Sequence, residues 1–130
     1  MALLLLLHSA ANADVAVIVN ARNPLGSMNS KQVQDIFLGR TRSFANDRIA
    51  LPIDQSSPLR AEFYRRLTGR SLEQINAYWA RILFTGQASP PLQVPDDAAM
   101  LKTIRDNEGA IGYIDKSHLD DSVRVLLILP

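Results

Sequence analysis

The feature that most constrains the fold is an uninterrupted apolar run at residues 15–19, which reads VAVIV between Asp14 and Asn20. Successive β-branched residues with no polar position between them are typical of a strand that is buried on both faces. A sheet covered on both faces needs helices above and below it. The run therefore favours a fold with a central sheet between two helical layers.

The rest of the chain alternates between helix and strand patterns. Helix starts are predicted where a polar capping residue precedes apolar residues at helical spacing. They are Asn29 or Ser30 with Gln32, Ser57 with Pro58, Ser71 with Gln74, and Asp96 or Asp97. Strands are predicted at 14–20, 49–53, 110–114 and 123–129, and 85–95 is predicted to be a loop. This alternation predicts a three-layer α/β fold with a mostly parallel sheet and flanking helices.

Length and cysteine content narrow the function classes. A chain of 130 residues suits a single domain, and two complete lobes would need more. The sequence has no cysteine, which excludes disulfides, thiolate zinc sites, iron–sulfur clusters and cysteine nucleophiles. We therefore expect one compact domain whose chemistry uses other groups.

Residues 1–13 are predicted to be a signal peptide. They contain the apolar run 3–7 and end in Ala11, Asn12 and Ala13, the small-x-small pattern that signal peptidase accepts. The alternative is that this segment forms the first strand or helix of the fold. With cleavage, residues 14–130 form a single domain that is periplasmic or secreted. No other segment has the ~20 apolar residues of a membrane span, so the protein is not expected to cross a membrane.

Charge is unevenly distributed along the chain. The formal net charge is +1, but residues 40–81 carry eight arginines against four acidic residues, whereas 82–130 carry four basic and seven acidic residues. Solvated helix faces would explain this pattern, and a patch that faces an anion in the middle of the chain is the alternative. A nucleic-acid partner is not expected, because such binders are more basic and interleave aromatic residues with the charges.

Enzyme signatures are missing from the sequence. His118 has only Asp115, Asp120 and Asp121 near it in sequence, and it is interpreted as a loop residue. The chain has no Gly-x-Ser-x-Gly elbow, no P-loop and no Gly-x-Gly-x-x-Gly motif. We therefore predict no enzyme activity, no catalytic residue, no bound metal and no cofactor.

One segment has a physical rationale for binding an anion. It passes from the end of a predicted strand into a helix N-terminus, where N–H groups and the helix dipole favour negative charge. Its candidate anion-binding residues are Gln55, Ser56, Ser57 and Arg60. The alternative for the same residues is an ordinary, well-capped helix.

Two motifs carry a family resemblance. Residues 30–39 read SKQVQDIFLG and residues 109–114 read GAIGYI, and Asn23-Pro24 follows the first strand. In these features the chain resembles the phosphate-binding proteins of ABC transporters, in the type 2 periplasmic binding protein superfamily, but only one lobe of them. The resemblance implies an exported solute-binding protein whose ligand is phosphate or another small oxyanion and whose partner is an ABC permease.

The candidate site departs from the family motif Arg-x-Asp-Gly-Ser-Gly-Thr. Only Ser57 is retained: Ile53 stands in place of the arginine, Gln55 in place of the aspartate, and Pro58 and Leu59 in place of the Gly-Thr pair. Half of the donors that would enclose the ligand belong to a second lobe, so phosphate is expected to bind weakly. The alternative function is an interaction or sensory module that docks a membrane sensor or transporter, or that forms a homodimer.

Overall fold

The computed structural model describes residues 14–130, and the predicted signal peptide at 1–13 lies outside the described residues. Strands and helices alternate along most of this range. In chain order they are β1 (Val15–Asn20), α1 (Ser30–Phe37), β2 (Leu51–Gln55), α2 (Leu59–Thr68), α3 (Leu72–Thr85), β3 (Leu92–Val94), α4 (Asp97–Asp106), β4 (Ala110–Asp115) and β5 (Val123–Leu129). A short 3₁₀ helix, Lys116–His118, follows β4.

The five strands form one sheet in the order β3-β2-β4-β1-β5. β2 pairs in parallel with β3 and β4, whereas β1 pairs antiparallel with β4 and β5. Four strands therefore run in one direction and β1 runs in the other, which confirms the prediction of a mostly parallel sheet. The fifth strand, β3, lies within the segment predicted to be a loop. Its three residues fall between Pro91 and Pro95, where the amide N–H groups are available for pairing.

Both faces of the sheet are covered, as the buried run in β1 predicts. Val15, Val17 and Val19 pack with the buried residues of α1, α2 and α3. Ala16 and Ile18 point to the opposite face, where they pack with Met100 and Ile104 of α4. The three layers are thus α1–α3, the sheet, and α4, because alternate residues of a strand face opposite sides.

Local capping signals place most helix starts correctly. Asn29 with Gln32 and Ser71 with Gln74 each form a complete capping box, and Asp96 caps α4. At α2, where Ser57 is the predicted cap, the helix begins one residue later than expected, at Leu59. The Ser57 hydroxyl nevertheless accepts a hydrogen bond from the Leu59 N–H at 3.2 Å.

A glycine in the GAIGYI motif lets α4 approach the sheet. A Cβ at Gly112 would collide with Sδ of Met100, which is fully buried in α4. The absence of a side chain at this position therefore allows the helix to pack directly against β4.

The strand register places several segment ends at one edge of the sheet. Val15 at the start of β1 lies opposite Asp115 at the end of β4 and Leu129 at the end of β5. β2 is parallel to β4, so Gln55 also ends at this edge. The helices α2 and α4 begin there, and this edge is where ligands tend to bind in α/β sheets. In 14–130 no helix combines the length and hydropathy that crossing a membrane would require.

Candidate functional site

A cleft of about 780 Å³ opens at this edge of the sheet. The N-terminal turns of α2 and α4 form two of its sides, and the segment after β4 forms a third. Its lining residues are Gln55, Ser57, Pro58, Leu59, Glu62, Asp96, Asp97, Ala98, Leu101, Asp115 and His118. The lining therefore combines aliphatic and polar side chains, a common composition for a small-molecule site.

Gln55 connects the two helices that border the cleft. Its fully buried side chain donates from Nε2 to Asp97 Oδ1 at 2.7 Å and to the Tyr113 carbonyl oxygen at 2.8 Å. Its Oε1 accepts a hydrogen bond from the Ser57 hydroxyl at 2.7 Å. Both ends of the amide are used within the protein, so Gln55 positions Ser57 and Asp97 rather than offering a donor to a ligand.

Asp97 and His118 form an ion pair at the mouth of the cleft. His118 Nδ1 lies 2.6 Å from Asp97 Oδ2, and the Asp115 N–H donates to the same oxygen at 3.1 Å. The hydrogen bond that His118 donates to Asp97 raises the pKa of the imidazole above its ordinary value, and the charges of Asp97 and Asp115 add to this effect. The pair thus favours the protonated imidazolium form.

The lining of the cleft is acidic although the candidate segment belongs to the basic middle of the sequence. Its carboxyl groups come from Glu62, Asp96, Asp97 and Asp115, and among residues 14–130 His118 is the only basic one in the lining. Hydrogen bonding to Arg65 lowers the pKa of Glu62. Burial acts to raise the pKa of Asp115, but hydrogen bonds from Ser117 outweigh it and lower that pKa. These two groups therefore stay ionised near neutral pH.

A second carboxylate, Asp54, is buried on the opposite face of β2. It is 1% exposed and accepts hydrogen bonds from the Tyr64 hydroxyl at 2.8 Å, from Arg60 Nε at 3.1 Å and from the Tyr113 hydroxyl. Burial, reinforced by the charge of Asp54, raises the pKa of both tyrosines far above the ordinary value. Both hydroxyls therefore remain donors, and the network holds the end of β2 in place.

The structure separates the four predicted anion-binding residues into two groups. Gln55 and Ser57 line the cleft. Ser56 is exposed outside it, and its N–H donates to the Val94 carbonyl oxygen at 2.9 Å. The Arg60 side chain is directed to Asp54, and its Nη1 donates to Asn76 at 3.1 Å. Arg60 is therefore part of the buried network on the α2 side of the sheet and does not line the cleft.

Asp97 and His118 are cleft residues that the sequence-based prediction did not select. His118 follows β4 by three positions, and Asp97 begins α4. Their common location depends on β2 lying between β3 and β4 in the sheet, which no local pattern specifies. The sequence offered only a general indication that these two residues lie together. In a parallel sheet, the segments that follow neighbouring strands lie at the same edge. In 14–130 no group of three or more His, Cys, Asp or Glu residues could hold a metal ion.

Comparison with known proteins finds similar solved structures but no match in sequence. No protein-family model matches the chain, and no curated protein matches it in sequence. Among solved structures, a protein described as a phosphate ABC transporter substrate-binding protein from Clostridium perfringens, with bound phosphate, superimposes with a TM-score of 0.70 at 22% identity. An ABC-type phosphate transport receptor from Vibrio cholerae gives 0.68 at 21% identity, and PstS from Borrelia burgdorferi gives 0.64 at 14%.

These matches cover one part of each larger protein. Each superposition spans 88% of this chain but only 45%, 46% and 47% of the respective relatives. The chain therefore spans less than half the length of the solved structures that it matches. At these levels of identity the likeness concerns the fold, and residues 14–130 have the fold of one lobe of a phosphate ABC transporter substrate-binding protein.

Proposed function

We propose that this protein is an exported solute-binding lobe that binds a small oxyanion, with phosphate as the first ligand to test, in the cleft at the edge of the sheet. The single observation that carries the proposal is the convergence of the α2 and α4 N-termini on that cleft. Helix N-termini present N–H groups and the positive end of the helix dipole, both of which favour an anion. The solved relatives described as phosphate-binding share this fold.

The ligand is proposed to lie at the α2 end of the cleft. At the α4 end, the Asp96 carboxylate already accepts the Ala99 N–H at 2.8 Å and so occupies the position that an anion would take. At α2 the capping group is the neutral Ser57 hydroxyl. The uncharged helix start is therefore the better position for an oxyanion.

Binding by this lobe alone should be weak. The cleft is open to water, and exposed charge contacts contribute about 1 kcal/mol or less each. A dissociation constant near 1 mM corresponds to about 4 kcal/mol of binding free energy. A partner that supplies the opposite wall, such as an ABC permease or a membrane sensor, would strengthen the interaction by removing water.

Isothermal titration calorimetry with phosphate, sulfate and acetate tests this proposal. The Ser57 hydroxyl must turn from Gln55 Oε1 to donate to phosphate, so Ser57→Ala should weaken phosphate binding by at most about threefold to tenfold, the effect expected for one hydrogen bond. Ser56→Ala is the matched control, because Ser56 is exposed outside the cleft, and it should leave binding unchanged. If phosphate at about 10 mM produces no binding heat, the proposal is wrong.

A docking module is the second candidate function, and an exposed apolar pair favours it. Phe84 at the end of α3 is 94% exposed, and its neighbour Leu83 is half exposed. Large apolar side chains exposed together often mark a contact with another protein. A second copy of the chain would give a dimer in sedimentation velocity that Phe84→Ser abolishes. A wild-type protein that stays monomeric at high concentration would exclude self-association.

A further inference from the structure

The cleft contains a basic residue that the proposed function does not yet use. His118 is 61% exposed, and its Nδ1 is held by Asp97. Within 14–130 its other ring nitrogen, Nε2, has no protein hydrogen-bond partner. Because His118 lines the same cleft as Ser57, a solute bound at the α2 N-terminus lies within the same cavity as this ring.

We infer that His118 is a ligand-contacting residue that makes oxyanion binding in the cleft depend on its protonation. This inference rests on the proposed function, because it concerns the same site. While Asp97 holds Nδ1 as a donor, the neutral ring presents an unprotonated Nε2, which is an acceptor and repels an anion. Protonation changes Nε2 into a charged N–H donor, which forms the stronger, charge-assisted type of hydrogen bond with an oxyanion.

The charged groups around His118 make its protonation important for binding an anion. The charges of Asp97 and Asp115 act directly on the ring, and Asp96 and Glu62 line the same cleft. The nearby cations are Lys116, on the same 3₁₀ helix, and Arg66 of α2, whose charge acts on Asp115. Four of these groups are carboxylates, which repel an anion, so the protonated ring is the main attractive charge that the lining itself offers. Lys116 lies near Asp14, with Nζ and Oδ2 3.9 Å apart, and does not line the cleft.

The fixed position of the ring supports a role in binding. The Asp97 carboxylate that orients His118 is itself held by Gln55 Nε2 and the Asp115 N–H. Gln55 also accepts the Ser57 hydroxyl. One chain of hydrogen bonds thus runs along the cleft through Ser57, Gln55, Asp97 and His118. It holds Ser57 and His118 at a constant separation, which reduces the entropy cost of ordering the site when a ligand binds.

Proton linkage gives a test that is independent of the titration of phosphate itself. If protonated His118 contacts the ligand, saturating inorganic phosphate must raise the pKa of His118, as measured by NMR titration of the imidazole signals. A shift of about one unit corresponds to about tenfold tighter binding by the protonated form. The His118→Gln variant identifies the signal, and at pH 6 it should bind phosphate about tenfold more weakly than the wild type.

The possible results separate this inference from the proposed function. If phosphate binds but leaves the pKa of His118 unchanged, and His118→Gln binds equally well, the inference is wrong while the proposed function stands. If the wild type binds no phosphate between pH 5.5 and 8, both are wrong. His118 is largely exposed, so unfolding of the variant is not expected, and a thermal melt of His118→Gln verifies this.

Discussion

Two carboxylates associated with the end of β2, Asp54 and Asp97, have opposite roles. Asp54 is 1% exposed and is surrounded by Arg60, Tyr64 and Tyr113 on the α1–α3 face. The Asp97 side chain is 14% exposed and faces the cleft, where it contacts Gln55 and His118. Asp54 and Gln55 are adjacent in one strand, so their side chains enter opposite faces of the sheet. Two adjacent positions of β2 thus serve different purposes: Asp54 belongs to a stabilising network, whereas Gln55 belongs to the candidate binding site.

The largest effect should come from neutralising Asp54. Asp54→Asn leaves Arg60, whose side chain is 13% exposed, without its ionic partner, and breaking a buried pair in this way costs about 3–5 kcal/mol. Asp97→Asn is the matched control at the partly exposed position and should cost about 1 kcal/mol. Urea unfolding measures both free energies. Equal losses for the two variants would contradict the distinction between the carboxylates.

The tyrosine hydroxyls should contribute less than the charge. Tyr113→Phe removes a donor to Asp54 and also an acceptor for the Gln55 N–H, which lies 3.1 Å from the Tyr113 hydroxyl. Tyr64→Phe removes only one donor to Asp54, and its hydroxyl lies 2.8 Å from Oδ2. Each substitution should destabilise the protein by about 1–3 kcal/mol, the cost of leaving a buried polar group unpaired. Tyr113→Phe is expected to be the more damaging in urea unfolding, and the reverse order would show that Oδ2 is the more important acceptor.

The smallest effect should be the pH dependence of the Asp97–His118 pair. The folded-state pKa of His118 is raised by Asp97, so the pair stabilises the folded protein fully below the unfolded-state pKa of about 6.5. This stabilisation disappears as pH rises through the higher, folded-state pKa. Both groups are near the surface, so the contribution should be below about 1 kcal/mol. Thermal melts at several pH values should show it in the wild type and lose it in His118→Gln.

The parts of the fold that were predicted correctly depend on neighbours in sequence. Asn29 and Gln32 form their capping box within a single turn, and the apolar run of β1 implies two covering layers without any knowledge of what covers it. The short strand β3 was missed, because its pairing of Leu92 with Ile53 depends on a strand far away in the chain. Local pattern carries no information on such pairing.

Only part of the candidate site was predicted, because the other part also depends on pairing between distant strands. Ser57 and Gln55 were found because a helix start after a strand is a local signal. Asp97 and His118 meet only after β2 has paired with both β3 and β4. Arg60 was predicted to be an anion-binding residue, but it shares a helix face with Tyr64, which lies four positions later and is fully buried. The burial of that face directs Arg60 away from the cleft and towards Asp54.

The interior position of β1, between β4 and β5, has a consequence for the order of folding. This strand is the first described element of the chain, but its two partners, β4 and β5, are the last strands. Contacts between segments so distant in sequence close late and slow the folding of a domain. Translation must therefore deliver almost the whole chain before the sheet can assemble around β1, and a nascent chain that stops short of β4 leaves VAVIV without a neighbouring strand.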